Sequence, residues 1–325
     1  MVDVLRVIKG SVKNVNVLKE ATEKEAGLAF FDYTDSYSVF DYGRMPDLIP
    51  NKGECISRMA AFNFKELGKK GFKSHFIKMD ENKMYVRLYR VLNPEKYDLN
   101  KINKNYLIPL EIIFRNSLPQ GSSVFRRLAK GQTTWQKLGL KKIPKPWEKL
   151  KPALLDVSTK LEAKDRYINW AEAQKIAAVT DSQLEEIKRI ANEVNAFINQ
   201  KAAEVGVEHA DGKIELAFDE NGEIRIIDVL GTPDENRFLY KKTQLNKQMI
   251  RDYYIELGDW FQKIEMQGIR EVPPSLPKEF IEIVSNAYKS ICEAWIGKKI
   301  WNAPSVEEVY EAHTAFIEKV KENKQ

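Results

Sequence analysis

A chain of 325 residues with 43% hydrophobic and 30% charged residues has the composition of a globular protein of two or three domains, each with its own core. No apolar run is long enough to span a bilayer, and the start MVDVLRVIKG lacks the basic region and long apolar core of an export signal, so a cytoplasmic protein without a membrane partner is expected. The net charge of +5 is spread along the chain with no aromatic-interleaved basic stripe, which argues against nucleic acid and for small anionic ligands.

In chain order, residues 4–8, 15–18, 28–33, 74–78 and 84–89 read as short strands. A helix fits 54–67, where Ile56, Met59, Ala60, Asn63 and Leu67 recur at three to four residues. Strands with a single helix predict a mostly antiparallel α+β lobe. Between the first two strands, Lys9-Gly10-Ser11-Val12-Lys13 can cover the phosphates of a nucleotide, with Lys13 as a point charge. A plain Gly-Ser turn with a solvated lysine fits the same residues. Residues 106–114 (YLIPLEIIF) read as a buried central strand, although Pro109 favours an edge or a bulge. The segment from Arg115 to Ser123 then leads into an apolar helix at 124–128. An arginine leaving a strand, with Ser122 and Ser123 at a helix start, makes a phosphate cradle or an ordinary helix cap. Residues 131–180 show little periodicity and are expected to be mostly irregular. Thr180 with Gln183 fits a capping box ahead of an apolar stripe through Leu184, Ile187, Ala191, Val194, Phe197 and Ile198. Further helices are expected near 243–264, 277–295 and 305–323. Cys55 and Cys292 lie far apart in sequence and, like the three isolated histidines, offer no metal-ligand spacing; the cysteines read as reduced thiols.

The stretch 209–237 carries the sharpest chemical signal. Asn221-Gly222 suits a two-residue hairpin turn, which would set Glu220 opposite Glu223, Phe218 opposite Arg225 and Glu215 opposite Asp228. Opposed side chains have Cβ atoms roughly 4.5–5.5 Å apart, and like charges there repel. Asp211, Lys213 and Glu215 would share one face, with Ile214, Leu216 and Phe218 on the buried one. A hard divalent cation would relieve the acidic pair. A solvated face neutralised by Lys213 would also do so. After the second strand, residues 231–234 look like a turn, from which Arg237 emerges near the pair.

Taken jointly, IPLEIIFRNSLPQGSS, then DGKIEL and IIDVLGTPDENRF, after KGSVK, SVFD and IPNKGE, resemble the SAICAR synthetase (phosphoribosylaminoimidazole-succinocarboxamide synthase) family of purine biosynthesis. The resemblance spans almost the whole chain. KQMIRDYY, Ala287-Tyr288 and Ile300-Trp301 resemble the family's longer form. It implies an α+β fold with a nucleotide-binding antiparallel lobe (1–104), a substrate- and metal-binding α+β domain (105–264), an ATP cleft between them and a helical extension (265–325). It implies an ATP- and Mg²⁺-dependent ligase that joins aspartate to a carboxylated aminoimidazole ribotide through an acyl phosphate. Its partners would be these small molecules; the sequence does not fix the oligomeric state, and an oligomer is compatible with it.

By the same resemblance, Gly10, Ser11 and Lys13 bind ATP, Glu215 and Asp228 hold the metal, and Lys213, Asp211 and Arg237 are catalytic or line the cleft. Arg115 with Ser122 or Ser123 takes the ribotide phosphate. Ser158-Thr159-Lys160-Leu161-Glu162 with Asp165 resembles the family's STKAE…D loop and brings Lys160, Glu162 and Asp165 to the substrates. Asp35 and Asp41 lie in a segment similar to DRxSxFD, and Lys52-Gly53-Glu54 resembles a GKGE helix start. The chain departs from the pattern at Ser11, where a lysine is usual, at Ser36, where an arginine is, and at Val229, where an acid is. Strand alternation points Val229 away from the Asp228 face. The Arg115 loop is one residue longer than the commoner form and the spacing from Lys160 to Asp165 one shorter. These departures leave open a relative that uses another amine or carboxylate, or a nucleotide-binding protein without catalysis.

Overall fold

Alternate residues of the two central N-terminal strands, Gly27–Tyr33 and Lys83–Leu88, bury one face, and the first helix covers it. The computed structural model describes residues 3–40, 42–257, 259–268 and 270–322. β1 (Arg6–Lys9), β2 (Lys13–Lys19), β3 (Gly27–Tyr33), β4 (Phe76–Asp80) and β5 (Lys83–Leu88) form an antiparallel sheet in the order β1-β2-β3-β5-β4. In β3, Ala29, Phe31 and Tyr33 are buried while Leu28, Phe30 and Asp32 are half-buried, the period of two of a one-sided strand. α1 (Lys52–Lys69) packs on this sheet through Ile56, Met59, Ala60, Phe64 and Leu67. Asn63 sits in the same apolar stripe because its amide is fully used. It donates to the Leu230 carbonyl at 2.8 Å and accepts from the Trp295 indole at 2.7 Å.

The second sheet runs β12 (Thr243–Gln244), β11 (Asn236–Tyr240), β9 (Glu208–Phe218), β6 (Tyr106–Ser117), β7 (Lys149–Thr159), β8 (Tyr167–Ile168), with β10 (Ile224–Ile227) also pairing β9. β6 is the central apolar strand the sequence predicts. Its register against β9 shifts between Leu107 and Glu111, so Pro109 sits at an irregularity where no ladder hydrogen bond is asked of it. The expectation of a mostly irregular 131–180 is wrong for its second half. β7 is an eleven-residue strand, and α3 (Trp170–Ala177) follows it. The first part of β7, with Lys149, Lys151 and Pro152, is exposed, and Asp156 through Thr159 are all buried. No period of two survives that change, which hid the strand.

α2 (Ser123–Ala129) is a short helix after β6, and α4 (Asp181–Val205) carries the expected capping box and ends on Gly206 at φ 82°. The helix expected near 243–264 is two, α5 (Gln248–Leu257) and α6 (Asp259–Gln267), preceded by β12. α7 (Lys278–Ile296) packs against α1 and α4 and α8 (Val306–Glu322) against α7, so the C-terminal helices share the main core.

On α8, His313 is 8% exposed, lies beside the Phe280 ring and has no hydrogen-bond partner at Nε2 among the described residues. Burial pushes its pKa down to about 4. The unfolded chain therefore binds a proton that the folded chain refuses as pH falls from about 6.5 to about 4. His313→Leu is expected to flatten the acid branch of the stability curve, by on the order of 3 kcal/mol at pH 4, while changing little above pH 7. Denaturant unfolding at both pH values checks this, and parallel curves for the two proteins would contradict it.

Candidate functional site

The hairpin that carries the acidic pair forms, but not with the expected turn. Phe218 faces Ile224 and Glu215 faces Ile227, one residue out of the predicted register. The cause is Asp219. Its buried carboxylate accepts from the Asn221 and Glu223 amides at 2.8 and 2.9 Å and from Arg225 Nε at 2.7 Å, which closes a longer loop. Of Asn221 and Gly222, only Gly222 takes positive φ, at 77°, so the two-residue turn that needs both is not made.

A one-residue slip would send Asp228 to the other face. It does not, because Asp228 lies just past β10 at φ 66° and turns back toward Glu215. Burial pushes the Glu215 carboxyl up, and the Asp228 charge pushes it further. Burial would raise Asp228 as well, but Lys13, Lys160 and Lys213 hold it down. Val229 is buried in the main core.

Three lysines meet this pair. Lys13, at the start of β2, bonds to Asp228 from the first sheet. Gly10 makes the β1–β2 turn possible, since a Cβ there would lie 2.6 Å from the Lys13 carbonyl; Ser11 is exposed beside it. Lys160, just after β7, reaches Glu215 at 2.7 Å and Glu111 at 3.6 Å. Lys213 meets Glu111 at 2.6 Å, Glu235 at 3.3 Å and Glu215 at 3.8 Å. Burial would lower the Lys213 pKa, but Glu235, Glu111 and Glu215 raise it well above the usual lysine range, so it stays a cation. Glu111 and Glu235 were not singled out in the sequence. The available signal for Glu111 was that it is the one charged residue in YLIPLEIIF.

A second cluster lies further along the same face. Asp211 accepts from Arg237 Nε at 2.6 Å and from Arg115 Nη1 at 3.2 Å. Burial would raise its carboxyl, but Arg237 and Arg115 hold it low. Arg237 thus pairs with Asp211 and not with Glu215 or Asp228, the pair near which it was expected. Arg115, 3% exposed, also meets Asp156 at 3.3 Å, Ser123 Oγ at 3.1 Å and Tyr167 Oη at 3.2 Å. Arg127 grips Asp156 too and lies 3.9 Å over the Tyr167 ring. Of the two serines, Ser122 is buried and caps α2 at the Val124 amide, while Ser123 faces Arg115. Asp156 and Tyr167 gave no sequence signal, because they lie in the segment read as irregular, whereas Arg127 belongs to the basic pair Arg126-Arg127, which the sequence offers as a phosphate holder or a solvated face.

The other predicted residues are spread around these clusters. Asp35 accepts from the Asn51 and Gly53 amides at 3.2 and 3.0 Å, which anchors the start of α1. Glu162 pairs with Arg166 at 3.0 Å, and Asp165 is exposed on the same loop. Asp41 lies outside the described residues. Among the described residues no three His, Cys, Asp or Glu side chains gather as a metal cage, and no helix is long and apolar enough to cross a membrane.

Residues 6–267 match the family described as SAICAR synthetase. A protein of Archaeoglobus fulgidus is 38% identical over 324 residues, covering 92% of this chain and 97% of its own length. The phosphoribosylaminoimidazole-succinocarboxamide synthase of Thermoplasma acidophilum is 35% identical, covering 90% and 99%. Among solved structures, the SAICAR synthase of Saccharomyces cerevisiae complexed with SAICAR shares the fold at a TM-score of 0.68 and 22% identity, over 92% of this chain and 97% of that one. A SAICAR synthetase in complex with ADP does so at 0.63 and 22%, over 91% and 99%.

Proposed function

The chain belongs to the SAICAR synthetase family, and on that premise we propose how its two charged clusters divide the work. It is an ATP-dependent carbon–nitrogen ligase of purine biosynthesis, joining aspartate to the carboxylate of carboxyaminoimidazole ribotide. A carboxylate is a poor acyl donor, because it carries no competent leaving group. The γ-phosphoryl group therefore passes from ATP to a carboxylate oxygen, ADP departs, and the aspartate amine attacks the acyl carbon. Phosphate leaves with that oxygen, and the amine gives up a proton. Such a sequence asks the protein for positioning and charge neutralisation.

The single observation that carries this reading is the set of Lys13, Lys160 and Lys213 around Glu215 and Asp228, where the first sheet meets the second. Lys13, with Gly10 and Ser11 in its turn, holds the ATP phosphates, and the N-terminal lobe of residues 1–104 is the nucleotide side. Glu215 and Asp228 would hold Mg²⁺, which supplies positive charge to the transferring phosphoryl group. The donor set fits that ion, since two carboxylates leave its other positions to phosphate oxygens and water. Lys213, held cationic by three carboxylates, stabilises charge and does not act as a base. Lys160 serves the same charge. Asp211, Arg237 and the Arg115–Ser123 group form the substrate side of the 105–264 domain, with Ser122 setting the α2 start. Glu162, Asp165 and Asp35 border the substrates, and residues 265–325 brace the whole. Cys55 and Cys292 are free thiols, which supports a cytoplasmic protein.

Phosphate release with ATP, the ribotide and aspartate, omitting each in turn, tests the assignment. Full release is expected only with all three and magnesium. Undiminished release without the ribotide would refute it.

A further inference from the structure

Arg115 is the residue expected to grip the ribotide phosphate, yet its surroundings leave it little to offer. It is 3% exposed, and its guanidinium already meets Asp156, Asp211, Ser123 and Tyr167. A direct bidentate grip would have to break one of two buried ion pairs, which strands a charge away from water. Arg115 and Tyr167 both line a cavity of about 160 Å³ with Asp211, Lys213 and Glu235, but of the two it is Tyr167, 37% exposed, that offers surface to it.

Counting hydrogens identifies the open donor. Ser123 Oγ and Tyr167 Oη lie 2.9 Å apart, and Arg115 Nη2 donates to both, at 3.1 and 3.2 Å. The two hydroxyls bring two hydrogens and use one between them. Arginine has no acceptor for the other. Among the described residues no further hydrogen-bond partner of either hydroxyl is found, so this hydrogen points into the cleft. The tyrosine is held there from behind. Arg127, fixed by Asp156, lies 3.9 Å over its ring.

We propose that Tyr167 donates directly to the phosphate of the ribotide and that Arg115 is a positioning residue acting through Tyr167 and Ser123. This rests on the reading of the cluster as the ribotide side. The carboxylates of aspartate have similar acceptor chemistry, so each substrate is varied separately in the test.

Tyr167→Phe keeps the ring over Arg127 and removes only the hydroxyl. The ribotide KM, and the Ki of inorganic phosphate competing with the ribotide, are expected to rise about tenfold or more, as for loss of a hydrogen bond to a charged group. The KM values for ATP and aspartate and kcat should stay within about twofold, a split that a merely structural defect would not give. An unchanged ribotide KM, or a rise in the aspartate KM in its place, overturns the proposal. Arg115→Lys separates the two failures. If it raises the ribotide KM while Tyr167→Phe is silent, Arg115 is the direct contact and the cluster's assignment stands. If neither variant moves the ribotide KM, that assignment falls too.

Discussion

Replacing Glu215 with glutamine is expected to cut turnover by roughly 10²–10³-fold, the usual cost of removing one group that stabilises transition-state charge. Asp228→Asn should behave alike. The fold should survive Glu215→Gln because Lys160 keeps Glu111 at 3.6 Å as a partner. The substitution also removes a carboxyl that burial, and after it the Asp228 charge, holds high. Asp228→Asn is the harsher test of the fold, since Lys13 loses its carboxylate. Phosphate release measured across a magnesium series, with thermal unfolding of each variant, distinguishes the cases. If both variants turn over like the parent at every magnesium concentration, the two carboxylates do not hold the ion.

Asp234→Ala is expected to cost about 3–5 kcal/mol of stability, the range for breaking a buried ion pair from one side. Lys52 is 1% exposed, its ammonium lies 2.6 Å from Asp234, and the Tyr288 hydroxyl donates to the same carboxylate at 2.8 Å. Removing Asp234 leaves a lysine charge enclosed where α1, the 232–235 turn and α7 meet. The double variant Lys52→Met, Asp234→Leu should lose much less, because no unpaired charge remains. Denaturant unfolding of the three proteins measures the difference. A loss below about 1 kcal/mol for Asp234→Ala would mean water reaches Lys52 after all.

Local pattern disclosed most of the elements. The β3 alternation, the α1 stripe and the Thr180–Gln183 box are each written in a few neighbouring residues, and each is found. β7 escaped because it is exposed at one end and enclosed at the other, so its periodicity changes midway. The acidic pair was legible as residues but not as geometry. Asn221-Gly222 named the turn, and a buried carboxylate two residues earlier overrode it. The left-handed backbone at Asp228 then restored the meeting of charges by a route that strand alternation does not describe. Glu111 and Asp156 act through contacts between strands far apart in sequence, and the only local trace is that Glu111 is the one charged residue in YLIPLEIIF. The chemistry of the site rested on the family resemblance, which pairing rules alone could not replace.

Residues 73–75 are stitched on both sides. The His75 amide donates to the Ile226 carbonyl at 3.0 Å, the Ile226 amide to the Lys73 carbonyl at 3.0 Å, and the Arg87 amide to the His75 carbonyl at 2.8 Å. That seam makes the two sheets poor candidates for swinging apart like jaws. The β1–β2 ribbon, by contrast, sits at the outer margin with all of Arg6–Lys9 exposed, tethered at its base by Lys13 on Asp228. With Lys13 in its proposed role on the triphosphate, an incoming anion would take the place of Asp228 on that lysine. Nucleotide entry would then ask only the ribbon to lift, as an awning does, and not the two sheets to part.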